Sequence, residues 1–507
     1  MRESRDSRIV ISSSYSESFR MTTPRWVRDA VFYQIFPDRF ARSSRLPDIG
    51  FEAWDSAPSP HGFKGGDLYG VIEKLDYLED LGITAIYFNP VFASASNHRY
   101  HTYDYFNVDP LLGGNEALRQ LLAEAHKRSM RILLDVVFNH ASRGFWQFHH
   151  VLETGDGSPY KDWFFFDEER LRGHKHWGAY PTPHEKRALH HEDSLTAIGY
   201  RAWWNLPALP KFNTNHPAVR DFLFSVAEYW IRFGIDGWRL DVPAEIDDDE
   251  FWREFRRRVR TINPDAYLVG EIWHEAGRWL QGDQFDAVMN YLFTAAALSF
   301  FPGPHLNLQM VSHTGGIKDR IRHMHAQDFA NEVDRILNLY PMEITFSQFN
   351  LLDSHDMPRY LTCVNGDKAS LKLAWLFLFT MPGAPCVYYG DEIGMDGGHD
   401  PDCRKAFPWD DSKWDHELRE YLKACISLRK DQSSLRHGDY QRVHVEDHLM
   451  VFKRSLNEHE VMVAINVSNA DKQLQLPFNT KGEMIFGTGR KSKNGYTIPP
   501  RSGIVFQ

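Results

Sequence analysis

The sequence predicts an α/β chain: a (β/α)8 TIM barrel with an insertion subdomain after its third strand, followed by a C-terminal antiparallel β-sandwich. Three observations predict it. From Arg25 to about Leu428, eight strand-like runs alternate with amphipathic helical runs, the order that a closed parallel barrel requires. Between Ala141 and Asn213 the alternation stops, and the chain is irregular, rich in His, Trp and Pro, and too long for an ordinary loop. After Lys430 the pattern becomes short alternating apolar runs punctuated by Gly, Asn and Pro, as in a sandwich. The expected domains are 24–140 with 214–432 (barrel), 141–213 (insertion) and 433–507 (sandwich), behind a disordered tail at 1–23.

The eight barrel strands are expected at 31–36, 83–89, 131–138, 235–240, 267–270, 285–290, 349–353 and 386–389. Each is a short apolar or aromatic run, the signal of a strand buried on both faces. Helices are expected between them, as at 115–128 and 216–233, where apolar residues recur with helical spacing. The sandwich should include strands at 443–445, 449–454, 461–467 and 504–506. The first twenty residues are charged and Ser-rich with no apolar core, which excludes a secretory signal there. The longest apolar run, 373–381, is too short to cross a bilayer.

Composition narrows the function. A chain of 507 residues that is 42% hydrophobic can bury a large core. A net charge of -10 without a basic block argues against nucleic acid and anionic membrane surfaces. Cys363, Cys386, Cys403 and Cys425 show no metal spacing, so they are expected to be reduced thiols in a cytoplasmic protein.

The chemistry gathers at strand ends, where barrels place their active sites. In Gly237-Trp238-Arg239-Leu240-Asp241, Arg239 and Asp241 fall on one side of the fourth strand, and Arg239 is expected to keep Asp241 ionised. Glu271 takes the same position after the fifth strand, in Gly270-Glu271-Ile272-Trp273, an apolar setting expected to raise its pKa. The seventh strand delivers His355 and Asp356, and the third ends in Asp135 and Asn139-His140. One carboxyl kept ionised and one kept protonated are what cleavage of a glycosidic bond needs. The histidines at 149, 150, 174, 176, 190 and 191 are irregularly spaced and are expected to pack the insertion rather than bind metal.

These stretches together resemble the signature regions of the α-amylase family of retaining glycoside hydrolases, over about Val31 to Trp409. The resemblance implies Asp241 as nucleophile, Glu271 as general acid/base and Asp356 as transition-state stabiliser, with His140, Arg239 and His355 binding the sugar at the bond being cut. It further implies Tyr100 as a stacking platform, His98 as a partner for sugar hydroxyls, and Asp400 and Arg404 as binders of the next sugar. Leu209-Pro210-Lys211-Phe212-Asn213 is similar to the marker of the neopullulanase, cyclomaltodextrinase and maltogenic amylase group, in which Glu245 would touch the sugar beyond the cleavage point. That group usually carries an N-terminal β-domain, whereas this barrel begins almost at once; cleft walls are therefore expected from 141–213, with Trp203 and Trp204 at its end, and a monomer or weak homodimer is expected. Ala41-Arg42-Ser43-Ser44 offers poor ligands where relatives often hold calcium, so no cofactor is expected to be required, and a structural calcium, though open to the chain, is not predicted. The implied function is endo-type hydrolysis of α-1,4-glucosidic bonds in maltooligosaccharides, cyclodextrins, starch or pullulan. The alternatives are a glucan transglycosylase or isomerase using the same site and, more remotely, an inactive amylase-like accessory protein.

Overall fold

The computed structural model describes residues 23–173, 176–475, 482–492 and 495–507. The expected tail lies outside them except for Thr23, which is buried. The strands of the first part of the chain are β1 (Phe32–Ile35), β2 (Ala85–Phe88), β3 (Phe92–Ser94), β4 (Thr102–Val108), β5 (Arg131–Val136), β6 (Gly237–Leu240), β7 (Tyr267–Gly270), β8 (Ala287–Val288), β9 (Phe349–Leu351) and β10 (Ala384–Tyr388). Eight of them form one parallel sheet in the order β8-β7-β6-β5-β2-β1-β10-β9. A parallel bridge from Met289 to Phe349 joins the two edges and closes the barrel. Seven of the barrel strands fall inside runs expected from the sequence, and β10 begins two residues before its run.

Helices cover the outside. Gly114–Lys127 buries Leu118, Leu121 and Leu122, and Pro217–Phe233 buries Leu223, Val226 and Trp230. Each such aliphatic side chain contributes about 1.5–3 kcal/mol on leaving water. β3 and β4 are an addition that strand patterning did not reveal: an antiparallel hairpin standing on the strand ends. Its turn carries Arg99 at φ 61°. That buried guanidinium is held by Asp109 at 2.9 Å and by the Asn97 carbonyl at 2.7 Å.

The insertion is made of short helices, including Trp146–Thr154, Pro183–Ala188 and Ser194–Ile198. Its two ends are zipped together: the Ala141 and Arg143 N–H groups donate to Pro210 and Ala208 carbonyls at 3.0 and 2.9 Å. Phe148, Phe164, Phe166 and Tyr200 interlock inside it. Of its histidines, His150 bonds Ser158 and His176 lies 3.6 Å from Glu185; His174 lies outside the described residues.

The C-terminal part has two antiparallel sheets, built from β11 (Asp439–Glu446), β12 (Leu449–Leu456), β13 (His459–Asn466), β14 (Lys472–Gln475), β15 (Met484–Phe486), β16 (Arg490–Ser492), β17 (Gly495–Ile498) and β18 (Ser502–Phe506). Their orders are β11-β12-β13-β18-β15 and β14-β17-β16. Leu449, Val451, Ala464, Leu474, Tyr496 and Ile504 fill the space between them. Where this part meets the barrel, two buried guanidiniums donate to backbone carbonyls. Arg429 reaches Phe379, Met381, Gly383 and Leu435; Arg454 reaches Gly438 and Thr380.

Candidate active site

The C-terminal ends of the barrel strands bring Asp135, Arg239, Asp241, Glu271, His355 and Asp356 together around one buried guanidinium. Arg239 Nη1 donates to both Asp135 oxygens at 2.9 Å and to Asp241 Oδ1 at 3.1 Å. Its Nη2 lies 3.0 Å from Glu271 Oε2. One cation thus serves three carboxyls. Tyr87 and Tyr100 hydroxyls also donate to Asp135 Oδ2, at 2.8 and 2.7 Å, so Asp135 takes the larger share of the available donors.

This changes the expected electrostatics. Burial pushes Asp241 well above the usual carboxylate range; the Glu271 charge adds to the shift, and Arg239 opposes it without prevailing. The sequence expectation of a low Asp241 pKa is corrected here, because Arg239 is divided among three partners. Asp135 is likewise pushed up by burial, to about 6. Burial also raises Glu271, helped by Asp356 and opposed by Arg239. Trp273 does not add to that shift as its apolar ring suggested. Its indole N–H donates to Glu271 Oε1 at 3.0 Å and so favours the charged form. Asp241 and Glu271 titrate as one cluster, and their protons belong to the pair.

Backbone geometry fixes the two carboxyls relative to each other. Val242, directly after Asp241, sits at φ 35°, a left-handed conformation that costs a β-branched residue on the order of 1–3 kcal/mol. The turn aims its N–H at Glu271 Oε2, 3.1 Å away. Both Glu271 oxygens therefore meet donors, whereas the buried Asp241 Oδ2 has no hydrogen-bond partner. A carboxylate with one restrained and one free oxygen is suited to attack.

Two neutral histidines flank the centre, each oriented by an amide. Lys211 Nζ donates to Asn139 Oδ1 at 2.7 Å, which turns the Asn139 amide nitrogen toward His140 Nδ1 at 3.3 Å. Burial lowers His140 to about 3, opposed by the Tyr100 backbone, and with the Asn139 amide nitrogen at Nδ1 the proton of the neutral ring is assigned to Nε2. Asn89 accepts from Gln34 Nε2, which also donates to His355 Nδ1 at 2.9 Å. His355 Nε2–H then faces Asp356 Oδ2 at 3.0 Å and the Tyr100 hydroxyl at 2.7 Å. The Tyr100 and His355 rings are stacked at 5.4 Å.

The remaining expected site residues surround this core. His98 accepts the Tyr100 N–H at Nδ1, 3.2 Å away. Arg404 Nη2 reaches Asp356 Oδ1 at 3.2 Å and its Nη1 reaches Asp400 at 2.9 Å, so these three residues form one chain of charge. Glu245 is half exposed, and Lys211 Nζ donates to its carbonyl at 2.9 Å. Trp203 stacks on His140 at 4.8 Å, and Trp204 stacks on Trp203 at 4.3 Å. Gln34 and Asn89 escaped the sequence reading: lone amides inside strand runs carry no local signal. Lys211 was visible only as part of a marker stretch.

Comparison with known proteins places this architecture. The model of the α-amylase catalytic domain matches residues 34–442. The chain belongs to the α-amylase family. The α-amylase C-terminal domain model matches residues 438–496. The chain is 44% identical over 468 residues to a cyclomaltodextrinase of Geobacillus thermopakistaniensis, covering 91% of this chain and 73% of that protein. It is 44% identical over 500 residues to neopullulanase 2 of Thermoactinomyces vulgaris, covering 96% and 78%. A crystal structure of a Thermus thermophilus protein, Ttha1563, superposes with a TM-score of 0.86 at 44% identity, covering 95% of this chain and 99% of that one. This α-amylase-family chain is a glycoside hydrolase of the cyclomaltodextrinase, neopullulanase and maltogenic amylase group.

Proposed function

We propose that this chain cleaves α-1,4-glucosidic bonds of maltooligosaccharides, cyclodextrins, starch or pullulan with retention of configuration. The carrying observation is the contrast between the free Asp241 Oδ2 and the fully held Glu271, two carboxyls bridged by one guanidinium. Such bridging fits the carboxyl spacing of about 5–5.5 Å in retaining enzymes better than the ~6.5–9.5 Å of inverting ones. In this reading Glu271 gives its proton to the glycosidic oxygen while Asp241 Oδ2 attacks the anomeric carbon. The C–O bond breaks, and a glycosyl ester forms on Asp241. Water then attacks the anomeric carbon as Glu271 takes its proton, the bond from that carbon to Asp241 breaks, and the Asp241 carboxylate is released. Asp356, with His355, His140 and Arg239, would hold the hydroxyls of the reacting ring; Tyr100 would supply its platform, and His98, Asp400, Arg404 and Glu245 would meet neighbouring units.

NMR of the first-formed sugar tests the stereochemistry: the α-anomer is expected, and the β-anomer would refute retention. Product profiles on β-cyclodextrin, soluble starch and pullulan rank the substrates.

Further parts of this reading concern metal, assembly and place. The segment after Phe40 does not suit calcium, because cationic side chains already meet its oxygens: Arg42 Nε donates to the Lys64 carbonyl at 3.0 Å, and Lys64 Nζ donates to Ala53 and Ser56 carbonyls at 2.7 and 2.8 Å. Asp67 is taken by Ser43 and the Gly70 N–H. Chelator should leave Tm and rate unchanged. The chain is read as a monomer or weak homodimer, and specific activity should then not fall on dilution. Four buried free thiols favour a cytoplasmic location.

A further inference from the structure

The turn that presents Asp356 is anchored by a buried arginine of its own. From Leu351 to Tyr360 every residue is buried except Asp356, so the segment is covered along its length and offers one carboxyl. Its base is closed by the Tyr360 N–H, which donates to Asp353 Oδ2 at 2.5 Å. Arg359 ties this base to the turn that follows β10. Its Nη1 donates to the Tyr389 carbonyl at 2.7 Å and to Asp391 Oδ1 at 2.8 Å, and its guanidinium lies 4.4 and 4.9 Å from the rings of Tyr388 and Tyr389. The Arg359 backbone N–H donates to the Gly397 carbonyl at 2.9 Å. The Asp353 and Asp391 carboxyls are hydrogen-bonded to each other, which requires one of them to keep a proton. Burial raises both; the Asp353 charge adds to the rise of Asp391, and Arg359 opposes each. The proton therefore falls to Asp391, and the cluster is neutral: one cation, one carboxylate and one carboxylic acid.

As a device for stability alone this is a poor choice. Arg359 Nε and Nη2 are buried with no hydrogen-bond partner among the described residues, and unmet donors are costly. Apolar side chains of similar volume often replace buried ion pairs without loss of stability. What the guanidinium adds is direction, a planar fork held at fixed angles. That direction bears on Asp356, three residues earlier, and Pro358 with its fixed φ stiffens the link between them. The Asp356 carboxyl itself meets Arg404 Nη2 at 3.2 Å and His355 Nε2 at 3.0 Å, on the far side of the same turn.

We infer that Arg359 is a positioning residue: tied to the β10 turn through Asp391 and Tyr389, it fixes the base of the Asp356 turn and with it the place of the Asp356 carboxyl at the reacting sugar ring. The inference rests on the proposed contact of Asp356 with that ring.

The test is a double-mutant cycle on α-maltosyl fluoride, whose leaving group departs without an acid, so that slow variants stay measurable. Arg359→Met should lower kcat about 30- to 100-fold with KM within about twofold, the loss expected when a catalytic group is misplaced by about 1 Å. In an Asp356→Ala background the same change should lower kcat by less than about twofold, because the group it positions is gone. Arg359→Lys reaches one of the two acceptors and should cost about fivefold in the first background and less than about twofold in the second. The milder variant closes the cycle even where Arg359→Met does not fold. Equal fold-losses in the two backgrounds, or wild-type kcat in folded Arg359→Met, would overturn the inference alone. An unchanged kcat in Asp356→Ala by itself would refute the role of Asp356 and take the inference with it.

Discussion

Of the places that bury arginines, the barrel–sandwich junction and the strand ends solve the problem in opposite ways. At the barrel–sandwich junction, Arg429 and Arg454 are surrounded by carbonyl oxygens, and burial with repulsion from neighbouring arginines pulls both down, Arg429 to about 9. At the strand ends, Arg239 faces Asp135, Asp241 and Glu271, and the carboxyl charges outweigh its burial and push it well above the usual range. The junction meets its donors with neutral dipoles, and the charges of Asp29 and Asp439 oppose the downward shifts without prevailing. The strand-end cluster carries more negative charge than its single cation can balance. Spare charge inside a protein is costly, and it is kept where chemistry uses it.

The comparison can be broken most sharply at Asp241. Asp241→Ala should reduce kcat by at least about 10⁴-fold while the protein stays folded. Near-wild-type turnover in the folded variant would show that the surplus charge has another purpose. The junction should give the reverse result. Arg454→Met should lower stability by about 3 kcal/mol in urea melts, because two carbonyls lose their donor, and leave kcat of the folded fraction intact.

A pH series sharpens the same contrast. Asp241 and Glu271 are both raised by burial, so the folded protein holds protons that the unfolded chain releases. Stability contributed by those protons is complete below the ordinary carboxylate pKa and is lost as pH rises through the raised values. Asp241→Asn removes one of these groups and should raise Tm at pH 7–8, with the gain shrinking toward pH 4. An equal gain at both pH values would mean that the charge is not the cause. For the same reason, both limbs of the activity bell should lie above the ordinary carboxylate range and should be assigned to the cluster. The smallest effect is expected at Lys211→Met, which frees Asn139 to turn and His140 to change tautomer. A loss of about tenfold in kcat with little change in KM is expected, and an unchanged kcat would remove Lys211 from the relay.

What was legible in the sequence follows from the range of the forces involved. Barrel strands buried on both faces leave continuous apolar runs, so all eight could be read directly. β3 and β4 could not, because polar residues interrupt their pattern. Asp241, Glu271, Asp356 and both site histidines stood out because each closely follows a strand run. Their ionisation did not, since it depends on β5, β6 and β7 converging on one guanidinium, a fact of topology rather than of neighbours in sequence.

The zipped ends of the insertion have an evolutionary consequence. Because the 141–143 and 208–210 backbones already lie paired, everything between them starts and finishes at almost one point in space. The entropy of closing such a loop grows only slowly with its length. Segments of different size could therefore be exchanged at this doorway while the strand ends beneath keep their geometry. A lineage could diversify the chains it digests by swapping one cassette, with the bond-breaking apparatus inherited unchanged.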